Sequence, residues 1–132
     1  MSTTSIRTRL KSLLRGLGHP DAELSVVFTG DRAMRALNRL YRGMDKTTDV
    51  LSFSLREGRF PHIQPEVLGD IVISVPVAVR QAAESGHPLS HELYSLLVHG
   101  LLHLLGYDHE LGPREAAGMK RMERRLLKRL AR

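Results

Sequence analysis

The sequence predicts an α+β fold, a small mixed β-sheet packed by helices, and three observations lead there. Three short runs rich in β-branched residues occur before Pro76, a helical periodicity separates the first from the second, and beyond that point the chain carries helical patterns only.

Each element has its own signal. Ile6, Leu10, Leu13, Leu14 and Leu17 recur at a helical spacing, which Gly18-His19-Pro20 then breaks. "ELSVVF", Glu23 to Phe28, reads as a strand. "TGD" turns the chain, with Asp31 as N-cap of a helix marked by Met34, Leu37 and Tyr41 and running to about Arg42. A second strand is expected at "DVLSFS", Asp49 to Ser54, followed by an exposed loop from Arg56 to Pro65, where a glycine, two prolines and mixed charges cluster. "LGDIVISV", Leu68 to Val75, is the third strand, and a helix from about Pro76 to Ser85 follows it. Gly86-His87-Pro88 is a break, Ser90 reads as N-cap of the next helix, and Gly106 ends that helix. A last helix opens near Gly112-Pro113 and carries Met119, Met122, Leu126 and Leu130 along one side.

A length of 132 residues with 42% hydrophobic content suits one domain, 1–132, with one core. Twenty Lys and Arg against fourteen Asp and Glu leave a net charge of +6, the balance of a protein that meets polyanions. The absence of cysteine excludes disulfides, thiolate zinc sites and a cysteine nucleophile, so any metal must be held by His, Asp or Glu. "MSTTSIRTRLKSLLRGLGHP" is basic but lacks the apolar core of a secretory signal, and no apolar run is long enough to span a bilayer. A cytoplasmic protein with no membrane partner is expected.

"HGLLHLLGYDH", His99 to His109, sets three imidazoles in an apolar stretch. His99 and His103 fall one turn apart on the same helix face, with β-carbons about 5–6 Å apart, close enough to chelate one ion. Gly106 can turn the chain back and bring His109 to the same ion from another side. Three nitrogen ligands suit a tetrahedral zinc site with its fourth position open, so one Zn²⁺ per chain is expected on the helix of the C-terminal half and the turn after it, other divalent transition metals being alternatives. His19, His62, His87 and His91 read as hydrogen-bonded or surface residues. The metzincin peptidases share the spacing H-E-x-x-H-x-x-G-x-x-H, but their general-base glutamate is replaced here by Gly100, so that likeness covers the metal site and stops before the chemistry.

"VHGLLHLLGYDHE" resembles the signature of the YbeY family of metal-dependent endoribonucleases, including Gly100, Gly106, Tyr107 and Asp108 beside the three histidines. "LNRLYRGMDKTTDVLSFS", from Leu37, is similar to a second family block, "LGDIVIS", at Leu68, to a third, and Met119 and Glu123 also fit. Met44, Thr47 and Ser54 depart from the family's usual residues, and the strand expected before the first helix has no counterpart in the reading above.

The resemblance implies a zinc-like centre held by His99, His103 and His109, with Arg42 as the functional arginine. It implies single-strand-specific RNA cleavage in ribosomal RNA maturation, at the 3′ end of the small-subunit RNA, and in ribosome quality control, with ribosomal RNA or ribosomal particles as partner. A guanidinium suits that work, since two parallel hydrogen bonds can meet the charge that builds on phosphoryl oxygens. Read without the resemblance, Arg42 is a solvated helix-end arginine. The general base stays open between Asp108 and Glu110, and Asp108 could equally orient a ligand imidazole. "KRMERRLLKRLAR" reads either as a solvated helix face or as a rail for RNA phosphates. The alternatives to an endoribonuclease are a ribosome-assembly binding protein with a structural metal and, disfavoured by Gly100, a zinc metallopeptidase.

Overall fold

The computed structural model describes residues 2–55 and 67–130. Apolar residues at helical spacing fold Thr3–Gly16 into α1, whose first turn is closed by the Ser2 hydroxyl accepting the Ser5 amide at 3.1 Å. There follow β1 (Glu23–Thr29), α2 (Asp31–Arg42), β2 (Val50–Ser54), β3 (Val67–Ser74), α3 (Val75–Ser85), α4 (Leu89–Leu104), a short 3-10 turn (His109–Leu111) and α5 (Pro113–Leu130). The loop expected from Arg56 to Pro65, with His62, lies outside the described residues.

The sheet is mixed, as expected. Its order is β1-β3-β2, with β3 central, parallel to β1 and antiparallel to β2. Side chains alternate across β3: Ile71 and Ile73 join the main core while Val72 faces the other way, toward Met34 and Leu51. Because both faces of β3 are covered, it reads as an almost unbroken apolar run. The helix α2 packs on the Val72 face, and α1, α4 and α5 meet on the other, where α4 lies across β2 and β3.

An apolar helix of this kind is stable only when surrounded. Leu97, Val98, Leu101 and Leu102 of α4 expose no surface at all, and each buried leucine contributes about 1.5–3 kcal/mol relative to exposure. The close approach is made at Gly100. A Cβ added there would meet Ile71 Cγ2 at 3.0 Å and Ser52 Oγ at 3.1 Å, and the Ser52 hydroxyl donates to the Gly100 carbonyl at 3.3 Å. The residue that looked like a lost catalytic position is a contact between helix and sheet.

Two expected caps are corrected. Gly30, not Asp31, is the N-cap of α2 and makes no side-chain cap bond. Asp31 is instead the first helical residue, and its carboxylate accepts from Ser74 Oγ at 3.1 Å, Arg80 Nη1 at 3.0 Å and Thr47 Oγ1 at 3.4 Å. It joins the start of α2 to the β3–α3 junction. Likewise Pro88, not Ser90, caps α4: the Pro88 carbonyl already receives the His91 and Glu92 amides, so Leu89 and Ser90 lie inside the helix. Strand limits move by a residue or so, β1 extending to Thr29, β2 starting at Val50 and β3 covering Val67–Ser74, so that Val75 opens α3.

The segment after α2 is stitched back onto it. Arg35 grips Asp45 through two bonds of 2.9 and 3.0 Å, and Asn38, fully buried, donates to the Lys46 carbonyl at 2.8 Å. These bonds fix the course of the chain between Arg42 and β2.

Gly100→Glu, the change that restores the peptidase residue, should destabilise the protein by about 3 kcal/mol or more, because it forces a carboxylate against Ile71 with no room and no partner. A denaturant midpoint equal to wild type would show that α4 does not need this approach.

Candidate metal centre

The three histidines reach one place by three local devices. His99 and His103 project from the same flank of α4, one turn apart. The helix then stops in a paired closure: Gly106 donates to the His103 carbonyl at 3.0 Å and Tyr107 to the Leu102 carbonyl at 3.0 Å, with Gly106 at φ 102. Gly106 therefore ends the helix as its position predicts. After the reversal, the Asp108 carboxylate accepts the Glu110 amide at 2.9 Å and sets the short turn that begins at His109. The ligating atoms of His99, His103 and His109 all lie within 4.8 Å of one another, and theirs is the sole such group among the described residues. The rings stand 4.8, 5.4 and 5.6 Å apart between centroids, tilted rather than stacked.

The donor set fits a metal ion. Glu123, on α5, accepts the Nδ1 proton of His99 at 2.8 Å, which fixes the tautomer and leaves Nε2 with its lone pair free. Resemblance alone marked Glu123, because α5 is distant in sequence. His103 is held below the ordinary imidazole value of 6.5, first by burial and then by the neighbouring His99 and His109. That direction keeps it neutral, the form that can ligate.

Arg42 reaches the same cleft from another element. It is the last residue of α2, followed by Gly43 in the left-handed conformation, and it lines the same cavity as the three histidines, a cleft of about 450 Å³. Ser52 and Ser54 of β2 form part of the wall, with Asp108 and Glu110 at the rim. Among the described residues Arg42 has no acidic partner. The structure thus brings together every residue singled out for the site, from α2, α4 and the turn before α5. His87 and His91 form a separate exposed pair with rings 4.5 Å apart.

An α+β fold that sets a three-histidine group and an arginine on one cleft has the parts of a metal-dependent hydrolase, and comparison gives the class as endoribonucleases. A family model described as Endoribonuclease YbeY matches residues 2–131. The chain belongs to the YbeY family. The Endoribonuclease YbeY of Geobacter sulfurreducens is 46% identical over 127 residues, covering 96% of this chain and 85% of that one. That of Desulforamulus reducens is 50% identical over 114 residues, covering 84% and 74%. The solution structure of TM1509 from Thermotoga maritima superposes with a TM-score of 0.70 at 25% identity, over 96% of this chain and 79% of that one.

Two outcomes follow for the centre. Glu123→Gln should weaken metal affinity by about 10–100-fold while leaving the helix intact, measured by competition with a chromophoric chelator; unchanged affinity would reduce the His99–Glu123 bond to packing. In the metal-free protein, the lowered His103 pKa means that the folded state binds fewer protons than the unfolded chain just below pH 6.5. Its contribution to stability is therefore complete above that value and is lost as pH falls through the folded value. Melting temperature followed between pH 7 and 5 should show this acid loss in wild type and less of it in His103→Gln.

Proposed function

We propose that the whole chain works as one single-strand-specific, metal-dependent endoribonuclease domain in ribosomal RNA maturation, at the 3′ end of the small-subunit RNA, and in ribosome quality control. The observation that carries this reading is the position of Arg42, which lines the same cleft as His99, His103 and His109 and has no acidic partner among the described residues. Its guanidinium can hold two phosphoryl oxygens in parallel and stabilise the charge that develops on them during cleavage. Its place at the C-terminal end of α2 favours a cation before substrate arrives.

We assign the three histidines as ligands of one Zn²⁺, a set of nitrogen donors with an open fourth position. When bound, such an ion would supply a Lewis acid for a phosphoryl oxygen and would lower the pKa of a water molecule toward about 7. The other roles fall to side chains. The Asp108 carboxylate is engaged in holding the turn that aims His109. Glu110, at the same rim, has no hydrogen bond to its carboxylate among the described residues, and we assign it to receive the proton of the attacking hydroxyl. The net charge of +6 favours a polyanion, and ribosomal precursors place the work in the cytoplasm. No described helix is long and apolar enough to cross a membrane.

The test uses assembled ribosomal particles and identically purified proteins. Arg42→Ala should keep wild-type metal content and change stability by no more than about 0.5 kcal/mol, while RNA cleavage falls by about 100-fold or more. His99→Ala, His103→Ala and His109→Ala should each lose the ion from a starting content of about one per chain, and cleavage with it. Equal cleavage by wild type and His103→Ala would overturn the enzyme reading. Wild-type cleavage by Arg42→Ala would return that residue to a solvated helix end.

A further inference from the structure

The outer face of α5 is the largest feature that the metal cleft does not absorb. Arg121, Arg124, Arg125, Lys128 and Arg129 are all exposed and together line one depression of about 410 Å³. They span eight residue steps, about 12 Å along the axis, so their fields overlap within roughly one Debye length at moderate salt, about 10 Å. The stretch from Arg121 to Leu130 holds a single acid, Glu123. That acid points the other way, to His99. None of the five cations has an acidic partner among the described residues.

Ordinary helix electrostatics do not account for this arrangement. Three of the pairs, Arg121 with Arg125, Arg124 with Lys128 and Arg125 with Arg129, stand at i,i+4, where like charges destabilise a helix. Cations at a helix C-terminus are favourable, but the Leu130 carbonyl already accepts from Arg9 of α1 at 2.6 Å, and Arg121, Arg124 and Arg125 lie too far from that end. A merely solvated face would mix acids among its bases. Four of the five are arginine, the residue whose fork fits phosphate oxygens bidentately. The apolar face of the same helix is buried through Met119, Leu126 and Leu130, so α5 has no free apolar side to insert into a bilayer.

We propose that this face of α5 is a second RNA-contact surface, which holds the phosphodiester backbone without regard to sequence. It lies on the side of α5 away from Glu123 and the metal centre, so it grips RNA at a distance from the scissile bond. This deepens the reading of RNA as substrate and rests on it, but it concerns a separate set of residues and fails separately.

The experiment measures binding of the full-length protein to a hairpin RNA with a single-stranded tail, as a function of salt. Wild type is compared with the triple variant Arg121→Gln, Arg124→Gln, Arg125→Gln and with His103→Ala. Glutamine keeps helix propensity, and the melting temperature and metal content of the triple variant check that the fold survives; if it does not, Arg124→Gln and Lys128→Gln are read singly. Each contact removed should lower the slope of log K against log salt by about 0.7–0.9, so the triple variant should lose about 2 to 3 from the slope. His103→Ala is read for cleavage only, because loss of the ion removes a charge from the cleft itself. A wild-type slope in the triple variant overturns the inference and leaves the endoribonuclease reading standing. A reduced slope together with equal cleavage by wild type and His103→Ala supports the surface and overturns the enzyme instead. Vesicles of phosphatidylglycerol and phosphatidylcholine form the last arm: if the triple variant loses vesicle binding but keeps its RNA slope, the face serves a lipid surface and the proposal is wrong.

Discussion

Helix α4 can present two imidazoles to a cleft because its own backbone lies against the sheet at Gly100. With Ile71 and Ser52 about 3 Å from where a Cβ would stand, the helix has one depth and one rotation available to it. The buried leucines of α4 supply the driving force for this seat, and the glycine sets its geometry. Given that rotation, His99 and His103 must emerge on the flank facing β2, and the wall of the cleft is built from the same strand that receives the helix. The position that a peptidase fills with its base is here spent on packing. The histidine spacing is shared with those peptidases, while the seat of the helix leaves no room for their glutamate.

The parts of this arrangement that depend on short-range rules were legible in the sequence. The spacing of His99 and His103, the reversal at Gly106 and the return of His109 are each local, and periodicity located α1 to α5 and three strands within a residue or two. The parts that depend on distant contacts were not legible. Nothing near Gly100 announces that Ile71 will lie above it. Asp31 sits where an N-cap is expected, but Ser74 and Arg80, more than forty residues away, claim its carboxylate. Asn38 looks like one more polar residue on an amphipathic helix, yet it is fully buried, held there by the Lys46 carbonyl. Ser90 is a good cap by composition and loses to Pro88 because the proline carbonyl is already placed to start the helix. Arg42 needed the resemblance to be noticed and the structure to be brought to the same cleft as His103.

The C-terminal helix divides its duties by face. One side carries the apolar stripe and Glu123, so that docking α5 onto α1 and α4 also delivers the carboxylate that fixes His99. Orientation of His99 is thereby a product of tertiary packing rather than of α4 alone. In the second half of the helix charge is sorted by the same division: Glu123 is turned toward His99, and the bases are left on the outside.

The anchoring of Asp31 bears on the far end of α2. This helix is 12 residues long, roughly 18 Å at about 1.5 Å per residue, and it is pinned at its start by Ser74, Thr47 and Arg80 while Arg42 stands at its tip. It is a lever with its pivot at Asp31. A tilt of about 3° at the pivot moves the tip by about 1 Å, a displacement that can cost about a hundredfold in rate when it separates a charged group from the atoms it serves. The placement of Arg42 thus depends in part on bonds at the opposite end of the helix, to Ser74 at the end of β3, Arg80 of α3 and Thr47 before β2. Side chains that do not border the cleft therefore help to hold one of the residues that does.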